Sequence, residues 1–515
     1  MTYSWRQHSA WRAHFVALFL GILVPLSLAP FNLWPLGMMS ASALALLLTN
    51  ISIRQRLVRS FFFGLGMFTT GASWVYVSIH DFGMTSAPLA VLLTTAFVLG
   101  LAFLFALPFV FYSQHITRGL AGKTLGFAAV WTLGEWSRTW LLTGFPWLYL
   151  GYGHVSTWLS GWGPVLGVFG LSFLCLASGT LLSQALLFHK ARHPLISTAA
   201  IIFTVITIWV SGLLLSHHRW QIENSAEPIS VAIVQPNIPL AQKWNPLYRD
   251  EIMHILRSET GRHWDKDLIV WPEAALPLMY HDAEYFLSEV EHQAQQTNTG
   301  IILGVLYDDE QPMTFYNSII GLGRASGIYF KQRLVPFGEY VPLEQWLRGL
   351  ITFFDLPNSI IFPGPKDQEI LGFDEFKIAP SICYEIVYPD LVARQAKNAS
   401  LLVTISNDAW FGDSIGPDQH FQMTQMRALE NRRYVLRSTN TGISGIINPQ
   451  GQVTLLGNQF VQETIEQLNI TPTTTATPFS LWGSRPIVIF CVLTIILLTS
   501  ANTLHRRQNL TPLPG

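Results

Sequence analysis

Eight apolar runs, seven of them crowded into the first 216 residues, set the strongest limit on how this chain can fold. They lie near residues 13–31, 34–50, 60–79, 86–113, 123–142, 163–188 and 195–215, with the last near 486–503. Each is close to the roughly 20 residues a helix needs to cross the hydrocarbon of a bilayer. The first also has the outline of a secretory signal, with Ser27-Leu28-Ala29 as a small-residue cleavage site. Its length, and the runs that follow it, favour a retained helix. Half of the 515 residues are hydrophobic and 12% are charged, against about a quarter charged in ordinary soluble domains. Much of the chain is therefore expected outside water.

Basic residues orient these spans, because Lys and Arg accumulate in cytoplasmic loops. Arg6 and Arg12 precede the first span, and Arg54, Arg56 and Arg59 lie between the second and third. Arg118 and Lys123 lie between the fourth and fifth, and Lys190 and Arg192 between the sixth and seventh; Arg506 and Arg507 follow the last. The alternate loops 32–33, 80–85 and 143–162 contain neither residue. The pattern predicts both termini in the cytoplasm and the long 216–485 segment outside it. The expected division is a membrane domain over 1–216, an extracytoplasmic domain over 217–480, and a final helix and tail over 481–515.

Between 227 and 470 the pattern changes. Ser230–Val234, Leu268–Trp271, Ile301–Tyr307, Ile319–Gly323, Ile328–Phe330, Lys377–Ile382 and Leu401–Ile405 read as strands. Pro246–His263, Ala283–Thr297, Pro389–Asn398 and Gln419–Arg432 read as helices. Strand and helix in alternation predict an α/β domain, and Thr471–Pro478 reads as a linker into the last span. A net charge of −1 argues against a nucleic-acid partner, which calls for a basic footprint.

Three reactive residues follow three of these strands. Glu273 ends Leu-Ile-Val-Trp-Pro-Glu, Lys331 ends Ile-Tyr-Phe-Lys, and Cys383 ends Ile-Ala-Pro-Ser-Ile-Cys. Sites in α/β sheets gather at the carboxyl ends of strands, so three such ends could bring the side chains together. Cys175 and Cys491 lie in apolar runs, which leaves Cys383 as the one cysteine in polar sequence. A thiol needs a base or a nearby positive charge to become a good nucleophile. A carboxylate can take its proton, and a lysine can stabilise thiolate and oxyanion. Each residue alone has an ordinary reading, as surface carboxylate, solvated ammonium or inert buried thiol. HExxH, Walker A, GxGxxG and GxSxG motifs are all missing from the sequence.

Together, in their local strings, the three resemble the nitrilase (carbon–nitrogen hydrolase) superfamily. The matching strings are Trp271-Pro272-Glu273, Lys331 through Pro336-Phe337-Gly338-Glu339, and Cys383-Tyr384-Glu385. Ser406-Asn407-Asp408-Ala409-Trp410-Phe411, Arg427–Arg432 and Asn440-Thr441-Gly442-Ile443-Ser444 match as well. Seven spans before such a domain and one after it resemble the layout of the apolipoprotein N-acyltransferase family. The resemblance implies an α-helical membrane bundle of about eight spans with an extracytoplasmic α-β-β-α sandwich, in a bacterial inner membrane with the catalytic domain on the periplasmic side. It implies a Glu273-Lys331-Cys383 triad, with Glu339, Glu385, Tyr384 and Trp244 in support.

The implied reaction moves an acyl chain from a phospholipid, phosphatidylethanolamine in the family, to a cysteine thioester. The chain then passes to the amino terminus of a diacylglyceryl apolipoprotein, with no cofactor or metal. A membrane-anchored amidase acting on small amides is the alternative enzyme. A transporter or receptor with a degenerate nitrilase-like domain is a rival from another class. The uncharged aromatic loop with Phe145, Pro146, Trp147 and Trp158 reads as an interfacial belt, or as a gate for lipid acyl chains. Glu135 and Arg138, one turn apart in the fifth span, are expected to pair with each other.

Overall fold

A computed structural model describes residues 2–83, 85–113, 116–117, 119–190, 195–218, 220, 227–309, 313–342, 346, 361–474 and 476–508. Arg118 and Arg192, two of the orienting cations, lie outside the described residues. The chain divides into two compact units, the first made of Met1–Tyr76, Pro88–His218 and Trp482–Gly515. The second holds Arg219–Leu481 together with a short piece of the apolar half, Val77–Ala87.

The first unit is helical. Ala87–Val110, Trp158–His189 and Ile196–Ser216 are long and apolar enough to cross a bilayer. A fourth span exists if Ile53–Gly71 and Val75–Phe82, bent by 61°, count as one. The expected eight are therefore three or four by length among the described residues. Helix Trp34–Leu47 has 14 residues, which at about 1.5 Å each fall well short of a hydrocarbon layer roughly 30 Å thick. The fifth expected span becomes a π-helical stretch at Gly122–Gly126 followed by helix Phe127–Ser137.

Glu135 and Arg138 interact through their opposite charges, as expected, and each also takes further partners. Glu135 Oε1 accepts from the Trp131 indole at 2.9 Å and from the Leu150 N–H at 3.0 Å. Arg138 donates to the Trp147 carbonyl at 3.4 Å and lies over the Phe68 and Tyr149 rings. Buried polar groups need such partners, and here they fasten the aromatic loop.

The second unit carries two sheets. The first runs in the order β13-β1-β2-β3-β4-β6, formed by β1 Ile229–Gln235, β2 Leu268–Val270, β3 Gly300–Asp308, β4 Phe315–Gly323, β6 Ile328–Phe330 and β13 Glu463–Ile470. The second runs β12-β11-β10-β9-β8-β7-β5, formed by β5 Ala325–Ser326, β7 Leu371–Phe373, β8 Phe376–Ile382, β9 Leu401–Ser406, β10 Val435–Thr439, β11 Gly445–Ile447 and β12 Val453–Leu456. Strands β1, β2 and β3 are mutually parallel, as are β8, β9 and β10.

Val231, Ile233, Val270, Ile302 and Ile319 of one sheet share a buried core with Ile378, Ile382, Val403, Ile405 and Leu436 of the other. Burying an aliphatic side chain of this kind contributes roughly 1.5–3 kcal/mol. The alternate residues of the first sheet, Ala232, Ile269 and Ile301 among them, pack on helices Arg249–Gly261 and Glu284–Thr297. Pro389–Ala396 and Gly416–Asn431 lie against β8 and β10 of the second sheet. The result is the expected α-β-β-α sandwich. Pro380, which cannot donate to a ladder, sits in β8 where only β9 pairs with it, because β7 stops at the Ile378 rung.

Candidate active site

Each of the three reactive residues leaves a strand at its carboxyl end. Glu273 lies three residues past β2, Lys331 directly follows β6, and Cys383 directly follows β8. The first two come from one sheet and the thiol from the other.

The turn carrying Glu273 is laced to β3: Trp271 N–H donates to the Ile302 carbonyl at 2.9 Å, and Ala275 N–H to the Gly304 carbonyl at 2.8 Å. Ala274 within it takes φ +43°, a conformation non-glycine residues rarely adopt. Lys331 hangs from β4 through its N–H, which donates to the Asn317 carbonyl at 2.9 Å. Its ammonium, fully buried, stands 2.8 Å from Glu339 Oε1 and 3.4 Å from Glu273 Oε1. The Asn317 amide donates to the same two oxygens, at 2.7 Å to Glu273 and 3.0 Å to Glu339. Glu273 Oε2 accepts from the Asn407 N–H at 2.8 Å. Burial works to depress the Lys331 ammonium, but the charges of Glu339 and Glu273 outweigh it and hold it above the usual lysine range.

Cys383 sits at φ +49° at the head of a tight turn, Cys383–Val387. Such strain costs of order 1–3 kcal/mol and persists only where the surroundings impose it. Glu385 imposes part of it. Its Oε2 accepts from the Ile382 N–H at 2.9 Å. Its Oε1 accepts from the Gln332 N–H at 2.7 Å and the Tyr329 hydroxyl at 2.9 Å. One buried carboxylate thus ties the thiol's turn to the lysine's loop. Burial pushes Glu385 up to about 7 against the pull of the Ile382 and Gln332 N–H donors. Burial, then the Glu273 charge, pushes the Cys383 thiol up to about 12, with Lys331 acting the other way. The ordinary thiol value is about 8.5, so the resting group is a thiol that needs a base.

Tyr384 is buried and meets the Tyr388 ring edge-on at 5.3 Å. Trp244 is 37% exposed at the end of the short helix Leu240–Lys243. Its neighbour Lys243, buried, donates to the Glu273 carbonyl at 3.0 Å. Burial lowers that amine to about 8, against the pull of Glu273. Phe145, Pro146, Trp147 and Trp158 belong to the other unit. There Trp147 is buried against Phe145 at 5.2 Å and Trp74 at 5.5 Å, whereas Trp158 is half exposed.

Sequence reasoning missed Asn317, Lys243 and the layer behind the thiol. There Asp408 Oδ2 takes the Arg437 guanidinium at 2.6 Å, and Asp408 Oδ1 takes the Ser406 hydroxyl at 2.6 Å. His420 stands 3.1 Å from Asp408 Oδ1 and 3.2 Å from the Cys383 carbonyl. Asp408 lay in a string that resembled the superfamily, but nothing there pointed to Arg437 or His420.

The profile of the carbon–nitrogen hydrolase family matches residues 230–477, and that of the apolipoprotein N-acyltransferase N-terminal domain matches residues 20–181. The apolipoprotein N-acyltransferase of Azotobacter vinelandii is 42% identical over 517 residues, covering 99% of this chain and 99% of that protein. This chain belongs to the apolipoprotein N-acyltransferase family. Other members are similar over nearly the same length: that of Pseudomonas syringae is 41% identical across 95% of this chain and 97% of its own. That of Coxiella burnetii is 37% identical across 94% and 99%. The alternative reading as a membrane-anchored amidase is not favoured, since apolipoprotein N-acyltransferases share both parts of the chain at this identity.

Proposed function

We propose that the chain N-acylates the amino-terminal diacylglyceryl-cysteine of apolipoproteins, by a ping-pong route through a thioester on Cys383. The single observation that carries the chemistry is the convergence of Glu273 and Lys331 from one sheet on the thiol carried by the other. In the first half-reaction Glu273 takes the thiol proton, and sulfur attacks an ester carbonyl of a phospholipid, phosphatidylethanolamine by family likeness. Lys331 and the Tyr384 N–H hold the oxyanion, and the proton goes to the departing alkoxide, releasing lysophospholipid. In the second, the lipoprotein amine attacks the thioester, Glu273 takes its proton, and the thiol is restored as the amide leaves. Glu339 and Asn317 keep Lys331 charged and aimed; Glu385 sets the thiol's turn; Tyr384 and Trp244 line the approach.

The reaction belongs beside a membrane. Residues 1–216 and 481–515 would supply eight spans in a bacterial inner membrane, and residues 217–480 the periplasmic catalytic domain. Phe145, Pro146, Trp147 and Trp158 would form the lipid's way in, with Trp158 as the exposed face and the others as its packed base.

Purified protein given labelled phospholipid alone should accumulate hydroxylamine-labile acyl on Cys383 and release one lysophospholipid per enzyme. Diacylglyceryl peptide should then discharge the acyl as an amide. Cys383→Ala should form neither product. Glu273→Gln should slow thioester formation by about 10²–10⁴-fold, and Lys331→Ala should slow both halves by about 10²–10³-fold. Continuous fatty-acid release without peptide would make the protein a hydrolase, and an unchanged rate in Cys383→Ala would defeat the mechanism.

A further inference from the structure

We propose that His420 is a positioning residue that aims the Tyr384 N–H at the oxyanion by holding the Cys383 carbonyl from behind. The proposal rests on the reading above, in which that N–H is an oxyanion donor. His420 is fully buried in helix Gly416–Asn431, which packs on the outer face of the second sheet. Its Nε2 lies 3.2 Å from the Cys383 carbonyl oxygen. Its Nδ1 lies 3.1 Å from Asp408 Oδ1 and 3.1 Å from Arg437 Nη2.

These partners decide where the imidazole proton sits. A carbonyl only accepts, so Nε2 must carry a hydrogen. In the neutral ring Nδ1 is then bare and accepts from Arg437. In the charged ring Nδ1 carries a hydrogen, no longer accepts, and donates to Asp408. Both states present Nε2–H to Cys383. The tautomer with hydrogen on Nδ1 alone would set two lone pairs against each other across that gap.

The consequence passes through one planar unit. The 383–384 peptide is trans, and in a trans peptide the C=O and the following N–H point in opposite directions. Drawing the carbonyl toward the outer helix turns the Tyr384 N–H toward the space between the sheets. Glu273 and Lys331 arrive from the sheet on that side. Cys383, strained at φ +49°, opens the tight turn Cys383–Val387, so its carbonyl is held by that turn on one side and by His420 on the other, while Asp408 with Arg437 fixes the ring.

Two substitutions in the full-length protein separate this role from packing. In His420→Gln the side-chain nitrogen reaches the Nε2 position; in His420→Asn it reaches only Nδ1. Acylation of Cys383 from labelled phospholipid, followed in a single turnover, should fall about 10²-fold in His420→Asn, as for loss of an oxyanion donor, and return most of the way in His420→Gln. Alkylation of Cys383 by iodoacetamide, a displacement that forms no oxyanion, should stay near the wild-type rate in both. Acylation unchanged in His420→Asn, no recovery in His420→Gln, or acylation and alkylation lost together would each overturn the proposal. Wild-type protein that never forms an acyl-cysteine would instead defeat the reading beneath it.

Discussion

Burial and the charge of Glu273 act in the same direction on Cys383, raising its thiol to about 12, and this separates resting reactivity from turnover. A group with a raised pKa gains thiolate only as pH climbs. Iodoacetamide alkylation of the substrate-free protein should therefore rise about tenfold per pH unit through the alkaline range, with no plateau near the 8.5 of a free cysteine. Glu273→Gln removes the larger of the two charges, Glu273 and Asp408, that add to burial. At pH 8 it should speed alkylation while slowing acylation, because the same carboxylate both opposes the resting thiolate and accepts the proton in turnover. A plateau below pH 9, or both rates falling in Glu273→Gln, would contradict this account.

At the scale of elements, the turn bearing Glu273 is held so closely to β3 that only glycine fits at 304. A Cβ there would lie 2.6 Å from the Ala274 nitrogen and 2.7 Å from the Pro272 carbonyl. Gly304→Ala must push the turn aside, and a displacement near 1 Å can cost about 10²-fold in rate. Activity should fall by that order while Cys383 alkylation persists; full activity would mean the turn is looser than its bonds to β3 indicate.

The same element explains what the sequence revealed and what it hid. Glu273, Lys331 and Cys383 were legible because each comes within three residues of the end of an apolar strand. Asn317 was not, since it reaches both carboxylates only through the β4–β6 pairing, which sets Phe330 opposite Ser318. Strand β10 was hidden by Arg437, which reads as a solvated cation yet is fully buried against Asp408. Strand β13 was hidden because its mixed Glu463–Ile470 sequence covers only an edge.

For the whole molecule, the contrast lies between eight apolar runs in the sequence and, among the described residues, three or four helices of spanning length. The runs were visible because hydropathy needs no tertiary information. The helix ends were not, because the chain stops a helix at Ser137 and turns through Leu142 at φ +51° before the aromatic loop. A reporter active only outside the cytoplasm decides the topology. It should work when fused after Thr474 and fail after Gly122 or Gln508, following the Lys/Arg asymmetry of the loops. A signal from the Gly122 fusion would overturn the eight-span arrangement.

Strand β1 finds its outer neighbour only in β13, with Ile229 opposite Ile470. On the ribosome, then, the sheet that bears Glu273 and Lys331 keeps a bare edge until almost the entire chain has been made. Such an edge is a template for wrong pairing, and by that stage the segment bearing the thiol has already emerged. Closing the edge of the sheet that leads to Glu273 and Lys331 therefore waits on the last strand of the domain.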